Sequence, residues 1–252
     1  DGCFDSARVV TDAGGTGRVV DLDEHLARLA SSAEALAIAN PSRGEWRGLV
    51  AEALASWPTP GEAVLKLVLT RGREWRDTGP TAIVSITHRV AVPGVRTITA
   101  VTLSRGHPSD AFADAPWLLG GTKTLSYVVN VAAAREARRR GADDVIFTTT
   151  DDFALDGPTS GLLVARDGAF LSTPTGGTGI LESITVATIL EAAGADGFAT
   201  RYELIPVDDL YRADGVWLVS SGRGPVLVTS LDGRSIHSDE GLAARILRYA
   251  LF

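Results

Sequence analysis

The chain has no methionine and a single cysteine, Cys3, in 252 residues. One thiol excludes an intrachain disulfide and a thiolate metal cluster, and a lone free thiol is ordinary for a reducing compartment. No apolar run approaches the roughly 20 residues that a membrane-spanning helix needs, and no signal peptide is evident. Basic clusters are scarce: beyond Arg135 and Arg138-Arg139-Arg140 at the end of one helix-forming run there is none. Positive charge is favourable at such a helix end. With a formal net charge of −7, a nucleic-acid or polyanion surface is not expected. His25, His88, His107 and His237 are scattered without ligand spacing, so no metal site is expected. The serine-hydrolase elbow G-x-S-x-G is absent as well. What these absences leave is an expectation of a cytoplasmic protein with no membrane or nucleic-acid partner. The lack of methionine even at position 1 implies that natural residues precede Asp1.

What is present suffices for one large domain or two modest ones, with 45% hydrophobic and 22% charged residues. Asp12-Ala13-Gly14-Gly15 is a turn between Val9-Val10 and Arg18-Val19-Val20, which predicts a hairpin. Asp21 or Asp23 is suited to cap a helix whose face carries Leu22, Leu26 and Leu29. Arg28 lies off that face, towards solvent or a ligand. A second helix is expected over 44–56, ended by Pro58 and Pro60. Residues 63–72 form a buried-strand pattern interrupted by Lys66, and a charge in such a run faces either an edge or a cleft. Strands follow at 81–88 and 96–103.

The polar stretch 106–116 breaks the pattern, and the domain division is expected there. This gives an α+β domain over 1–105, an interdomain loop over 106–116 and a C-terminal domain over 117–252. In the latter, a helix runs from after Lys123 to about 140 and a strand covers 144–149. Residues 154–161 are too rich in turn formers for regular structure, and Asp167-Gly168 marks a hairpin. Helices are expected over 182–193 and 239–249, with a strand at 216–219 between them.

Three stretches could carry chemistry. Gly120-Gly121-Thr122-Lys123-Thr124-Leu125-Ser126-Tyr127 places a lysine after a glycine pair. Lysine forms Schiff bases with carbonyl compounds, and glycines before it would let the backbone crowd a ligand. Ser183-Ile184-Thr185 opens a helix with two hydroxyls beside free backbone N–H groups, a ready anion site. Ser220-Ser221-Gly222 adds a second hydroxyl-bearing turn after a strand. With Arg28 these would make a phosphate cup. The loop Gly176-Gly177-Thr178-Gly179 lacks the spacing and context of a dinucleotide fingerprint.

In order along the chain, these motifs resemble the fold type IV pyridoxal-phosphate enzymes: branched-chain and D-amino-acid aminotransferases and aminodeoxychorismate lyase. Asp1-Gly2-Cys3-Phe4 is similar to the start of the lyases, and His25-Leu26-Ala27-Arg28-Leu29 to an H-x-x-R-L helix whose arginine holds the cofactor phosphate. Leu65 to Gly72 resembles a strand ending in Arg-Gly beside the substrate. Gly179-Ile180-Leu181-Glu182-Ser183-Ile184-Thr185 resembles the phosphate turn G-I-L-P-G-I-T, and Ser220-Ser221-Gly222 a second such turn. Leu155-Asp156-Gly157-Pro158-Thr159-Ser160-Gly161 stands where the family has L-E-G-P-T-S-N, so Asp156 is one methylene shorter and Gly161 replaces asparagine. Asp5-Ser6 also departs from the usual residues.

The resemblance implies a two-domain α/β (α+β) fold, with a small N-terminal domain and a larger β-barrel-like domain flanked by helices. It implies pyridoxal 5′-phosphate as cofactor, a small-molecule amino substrate and a homodimer. Lys123 is then the Schiff-base lysine and the base, Asp156 the partner of the ring, and Tyr127 an active-site tyrosine. Arg28, Ile184, Thr185, Ser220 and Ser221 anchor the phosphate, and Lys66, Arg71 and Arg76 are candidates for a substrate carboxylate. The expected activity is aminodeoxychorismate lyase, releasing pyruvate and 4-aminobenzoate in folate synthesis. The alternatives are a branched-chain or D-amino-acid aminotransferase, favoured by Tyr127, and a non-catalytic member of the fold, motivated by Asp156 and Gly161.

Overall fold

In the computed structural model, residues 1–73, 75, 79–90, 94–237 and 239–251 are described. They belong to two units, one of Asp1–Val92 with Thr122–Ser126 and one of Pro93–Gly121 with Tyr127–Phe252.

The first unit contains β1 (Gly2–Thr11), β2 (Gly17–Val19), α1 (Leu22–Ala35), α2 (Arg43–Ala55), β3 (Gly61–Thr70) and β4 (Thr81–His88). Its sheet has the order β2-β1-β3-β4, antiparallel throughout. Side chains alternate across a strand, so Cys3, Ala7 and Val9 of β1 face the same way as Leu65, Leu67 and Leu69 of β3. They pack against Leu26, Leu29 and Ala33 of α1 and Trp46 and Val50 of α2. Truncating a fully buried member such as Leu67 to alanine would cost about 2–5 kcal/mol. The other face of the sheet carries Phe4, Ser6 and Lys66. Capping differs between the two helices. Ser42 and Glu45 form a reciprocal capping box on α2, whereas Asp21, expected as a cap, takes a left-handed conformation and makes no side-chain cap bond.

The second unit runs β5 (Thr97–Ser104), α3 (Val128–Arg139), β6 (Asp144–Thr148), β7 (Phe153–Ala154), β8 (Gly161–Arg166) and β9 (Ala169–Ser172). It continues with α4 (Ile184–Ala195), β10 (Ala199–Tyr202), β11 (Ile205–Pro206), α5 (Val207–Leu210), β12 (Gly215–Ser220), β13 (Gly224–Leu231), β14 (Arg234–Ser235) and α6 (Glu240–Tyr249). The strands order as β10-β9-β8-β12-β13-β5-β6-β7-β11, with β14 on β13, and the sheet curls into a half-barrel. Strands such as Val216–Val219 are apolar without alternation because both faces are covered. Leu162, Val164, Val216 and Leu218 fill one core. Leu163, Ala165, Trp217 and Val219 fill another, beneath Ile189 and Leu190 of α4 and Ile246 of α6.

Two expectations are corrected. The strand assigned to the N-terminal domain at 96–103 is β5, which lies between β13 and β6 in the second unit's sheet. The division therefore falls at Val92/Pro93, with Thr122–Ser126 returning to the first unit, and not at 106–116. A polar, irregular stretch marks a loop, but it does not say which sheet the preceding strand joins. Residues 106–116 are in fact tied down within the second unit, where Phe112 N–H donates to Gly177 O at 3.0 Å. Nor does a helix begin directly after Lys123, since α3 starts at Val128.

Candidate active site

Lys123 sits in the first unit, its backbone laid along β1. Phe4 N–H donates to Lys123 O at 3.0 Å, Leu125 N–H to Gly2 O at 2.9 Å, and Lys123 N–H to Ser32 Oγ of α1 at 3.1 Å. These bonds fix the main chain on both sides of the lysine. Its Nζ stands 4.7 Å from the centroid of the Phe4 ring, and Nζ of Lys66 stands 4.7 Å from the same centroid. Lys66 and Lys123 are the only two lysines in a chain with 24 lysines and arginines together. Both amines thus lie over one aromatic ring, a contact that favours a cation by about 0.5–2 kcal/mol. The pairing Ser6↔Lys66↔Ser85 sets two hydroxyl residues beside Lys66 across three strands.

The glycines before Lys123 have a different task from the one expected. A Cβ on Gly120 would meet the Phe112 ring at 2.5 Å, and one on Gly179 would meet it at 2.4 Å. Gly121 N–H donates to Gly179 O at 3.0 Å. Gly120 and Gly179 leave room for the Phe112 ring, whereas Gly121 is required by its positive φ of 74°.

Arg28 also belongs to the first unit. Its Nε donates to Asp5 Oδ2 at 2.8 Å and its Nη2 to Asp5 Oδ1 at 2.7 Å, the fork geometry peculiar to arginine. Asp5 Oδ1 also accepts from Ser6 N–H at 2.7 Å and lies 2.8 Å from His25 Nδ1. An ionised carboxylate only accepts, so His25 carries its hydrogen on Nδ1. Asp5 is fully buried and His25 is 1% exposed. Burial alone would push the Asp5 carboxyl up, but the bonds and charges of Arg28 and His25 outweigh it and hold the group at about 2. Asp5 had been noted only as a departure from the family pattern. The signal that could have found it is parity: Asp5 shares the inward face of β1 with Cys3, Ala7 and Val9, where an acid requires a cationic partner.

In the second unit, Ser183 caps α4, its Oγ accepting from Val186 N–H at 3.4 Å. The N–H groups of Ile184 and Thr185 fall in the first turn, where the helix supplies no acceptor. Thr185 Oγ1 and Ser221 Oγ are 2.9 Å apart, and Ser220 Oγ accepts from Arg223 N–H at 3.3 Å. Hydroxyls gathered at a helix N-terminus fit an anion such as a phosphate.

Asp156, half-buried, lies in the loop between β7 and β8. Its carbonyl accepts from Phe147 N–H at 2.8 Å, and Gly157 N–H donates to Ser160 O at 2.7 Å to close the turn. Arg223 braces this turn: Nη2 donates to Ser160 Oγ at 2.9 Å and Nη1 to Asp144 Oδ2 at 2.8 Å. Arg223 was missed in the sequence because Ser220-Ser221-Gly222 drew attention to the hydroxyls before it. Tyr127 is the N-cap residue of α3.

Of the substrate candidates, Lys66 shares the Phe4 ring with Lys123. Arg71 is committed elsewhere, donating to both Asp1 carboxylate oxygens at 2.9 and 3.0 Å, to Leu36 O at 2.6 Å and to Ala37 O at 3.0 Å. These bonds tie it to the end of α1. Arg76 lies outside the described residues. No cluster of His, Cys, Asp and Glu suited to a metal ion occurs among the described residues, and none of their helices is long and apolar enough to cross a membrane.

The family model for amino-transferase class IV matches residues 2–231. A bifunctional aminodeoxychorismate lyase / D-amino acid transaminase of Mycobacterium tuberculosis is 39% identical over 231 residues, covering 87% of this chain and 80% of that protein. Among solved structures, a fold IV transaminase from Curtobacterium pusillum matches with a TM-score of 0.91 and 39% identity, over 100% of this chain and 84% of the other. The pyridoxal-phosphate-bound form of a hypothetical aminotransferase from Mycobacterium tuberculosis matches with a TM-score of 0.89 and 36% identity, over 99% and 88%.

Proposed function

The chain belongs to the class IV aminotransferase family and uses pyridoxal 5′-phosphate, and from that premise we propose that it is a 4-amino-4-deoxychorismate lyase. The observation that carries the reading is the pair of amines over Phe4, each 4.7 Å from the ring centroid. One amine serves the chemistry and the other meets a carboxylate of the substrate. The lyase substrate is a carboxylate-bearing ring ether, so a fixed cation beside the reacting amine suits it.

When bound, the cofactor supplies a carbonyl that reacts with amines and a ring that accepts the electron pair released at the neighbouring carbon. The chain's own residues do the rest. Lys123 takes the proton from the amine-bearing ring carbon as the C–O bond to the enolpyruvyl group breaks. It returns a proton to the methylene carbon of the departing enolpyruvate, giving pyruvate and leaving 4-aminobenzoate. Asp156 would supply the negative charge that keeps the cofactor's ring nitrogen protonated. Arg28, Ile184, Thr185, Ser220 and Ser221 hold the phosphate, so that binding energy far from the reacting carbon fixes the geometry. Lys66 orients the substrate carboxylate.

A second reading, transamination of D-amino or branched-chain amino acids, is supported by the likeness to the Curtobacterium pusillum transaminase and by Tyr127. The two separate on the need for an acceptor. Incubated with 4-amino-4-deoxychorismate and no 2-oxo acid, the holoenzyme releases pyruvate and 4-aminobenzoate in equal amounts. Turnover only with a 2-oxo acid, and of simple amino acids, rejects the lyase reading.

The same family reading supports pairing with a second copy. α3 exposes Val128 at 76% and Val129 at 58%, and Trp117 is 74% exposed, more apolar surface than a lone helix usually leaves to water. Sedimentation of the wild type as a dimer and of Val128→Glu as a monomer is the expected result.

A further inference from the structure

We infer that Gly161 and Ser183 act as one positioning element, which fixes the Asp156 turn against the first turn of α4: Ser183 fills the space that Gly161 leaves, so a side chain at 161 is tolerated only when Ser183 is reduced. The inference rests on the reading that Asp156 and the N-terminus of α4 serve the cofactor. A Cβ on Gly161 would meet Ser183 Cβ at 2.7 Å, Ser183 Oγ at 2.9 Å and Val186 Cγ2 at 3.0 Å. Gly161 has no positive φ, so the glycine is there for space and not for its backbone freedom.

Neither side of this contact can withdraw cheaply. Ser160, one residue before Gly161, is held by Arg223 Nη2 at 2.9 Å and by the Gly157 N–H bond to its carbonyl at 2.7 Å. Arg223 is itself anchored on Asp144, which is 7% exposed. On the other side Ser183 is the N-cap of α4, and moving it moves Ile184, Thr185 and the 2.9 Å hydroxyl pair of Thr185 with Ser221. A methyl group at 161 must therefore displace either the turn that carries Asp156 or the turn that presents the hydroxyls. Interiors transmit such strain because they are close-packed.

Ser183 keeps a helix cap that glycine would weaken, and Gly161 yields the room it needs.

The test is a double-mutant cycle on G161A, S183G and G161A/S183G, reading pyridoxal phosphate affinity by the visible absorbance of the bound cofactor and melting temperature without cofactor. G161A is expected to weaken cofactor binding at least about tenfold, and S183G by no more than about twofold. The double variant is expected to bind as S183G does, because removing Ser183 Cβ and Oγ restores the space. If the double variant loses the product of the two single effects, the residues act independently and the inference fails. A lower melting temperature for G161A with unchanged affinity also overturns it, since that is a structural role alone. Should G161A not fold, recovery of soluble protein in G161A/S183G supports the pair and failure of both rejects it. A wild type that binds no pyridoxal phosphate refutes the proposed function instead, and the coupling is then read from the melting temperatures, where additive losses reject it.

Discussion

Arg28 on α1 and the first turn of α4, the groups proposed to hold the cofactor phosphate, are chemically different partners for an anion. Arg28 brings a formal charge, and that charge is held by a buried acid, Asp5, through two donors at 2.8 and 2.7 Å. The turn at Ser183 to Thr185 brings neutral dipoles: main-chain N–H groups and the Thr185 and Ser221 hydroxyls 2.9 Å apart. A charge needs a counter-charge to remain buried before its ligand arrives, whereas hydroxyls and N–H groups do not. The first arrangement is therefore strong, sensitive to pH and fragile to truncation. The second is weaker per group and tolerant.

The sharpest way to break the contrast is Arg28→Ala, which leaves the Asp5 charge buried with only His25 and the Ser6 N–H. Removing one partner of a buried ion pair costs about 3–5 kcal/mol, measured as the loss in unfolding free energy by denaturant titration. A loss no larger than that of a surface arginine would deny Asp5 its part.

Asp5→Asn has the next largest effect and carries a pH signature. The Asp5 carboxyl is lowered from 3.8 to about 2. A depressed carboxylate stabilises the fold fully above its unfolded value, and that contribution is lost as pH falls from about 4 towards 2. The shift corresponds to about 2 kcal/mol. Wild-type unfolding free energy is expected to fall by about that amount over this window beyond whatever Asp5→Asn loses. Parallel pH curves for the two proteins would contradict the account.

The smallest effects are expected on the neutral side. Thr185→Val and Ser221→Ala each remove one hydroxyl and should cost about 1 kcal/mol of cofactor affinity, roughly fivefold, with little change in the stability of the cofactor-free protein. Cofactor titration of each variant checks this. A hundredfold loss from either would mean that the hydroxyls, and not Arg28, dominate the anion's seat.

The same contrast explains what could be read in the sequence. The hydroxyls of Ser183, Thr185 and Ser221 could be singled out because the signal is local, the start of a helix or the end of a strand, and α4 and β12 do begin and end there; their part in holding a phosphate belongs to the proposal. Arg28 stood out by its helix motif, but its pairing with Asp5 was not visible, because Asp5 lies 23 positions away and meets Arg28 only once β1 and α1 pack. Lys66 showed as an interruption in an apolar strand, while its sharing of the Phe4 ring with Lys123 needed the β1–β3 register. The strand over 96–103 was placed in the wrong unit for a related reason. Local pattern gives a strand but not its neighbours, and β5 finds parallel partners in β6 and β13 that are distant in the chain. That Gly120 packs against the Phe112 ring is likewise not visible from spacing.

The most direct measurement is reductive trapping. Holoenzyme treated with borohydride, digested and mapped by mass spectrometry carries a phosphopyridoxyl group on one lysine. With only Lys66 and Lys123 in the chain, the assignment is binary: modification of Lys123, abolished in Lys123→Ala and retained in Lys66→Arg, is the predicted result. Modification of Lys66, or of neither lysine, would contradict the account.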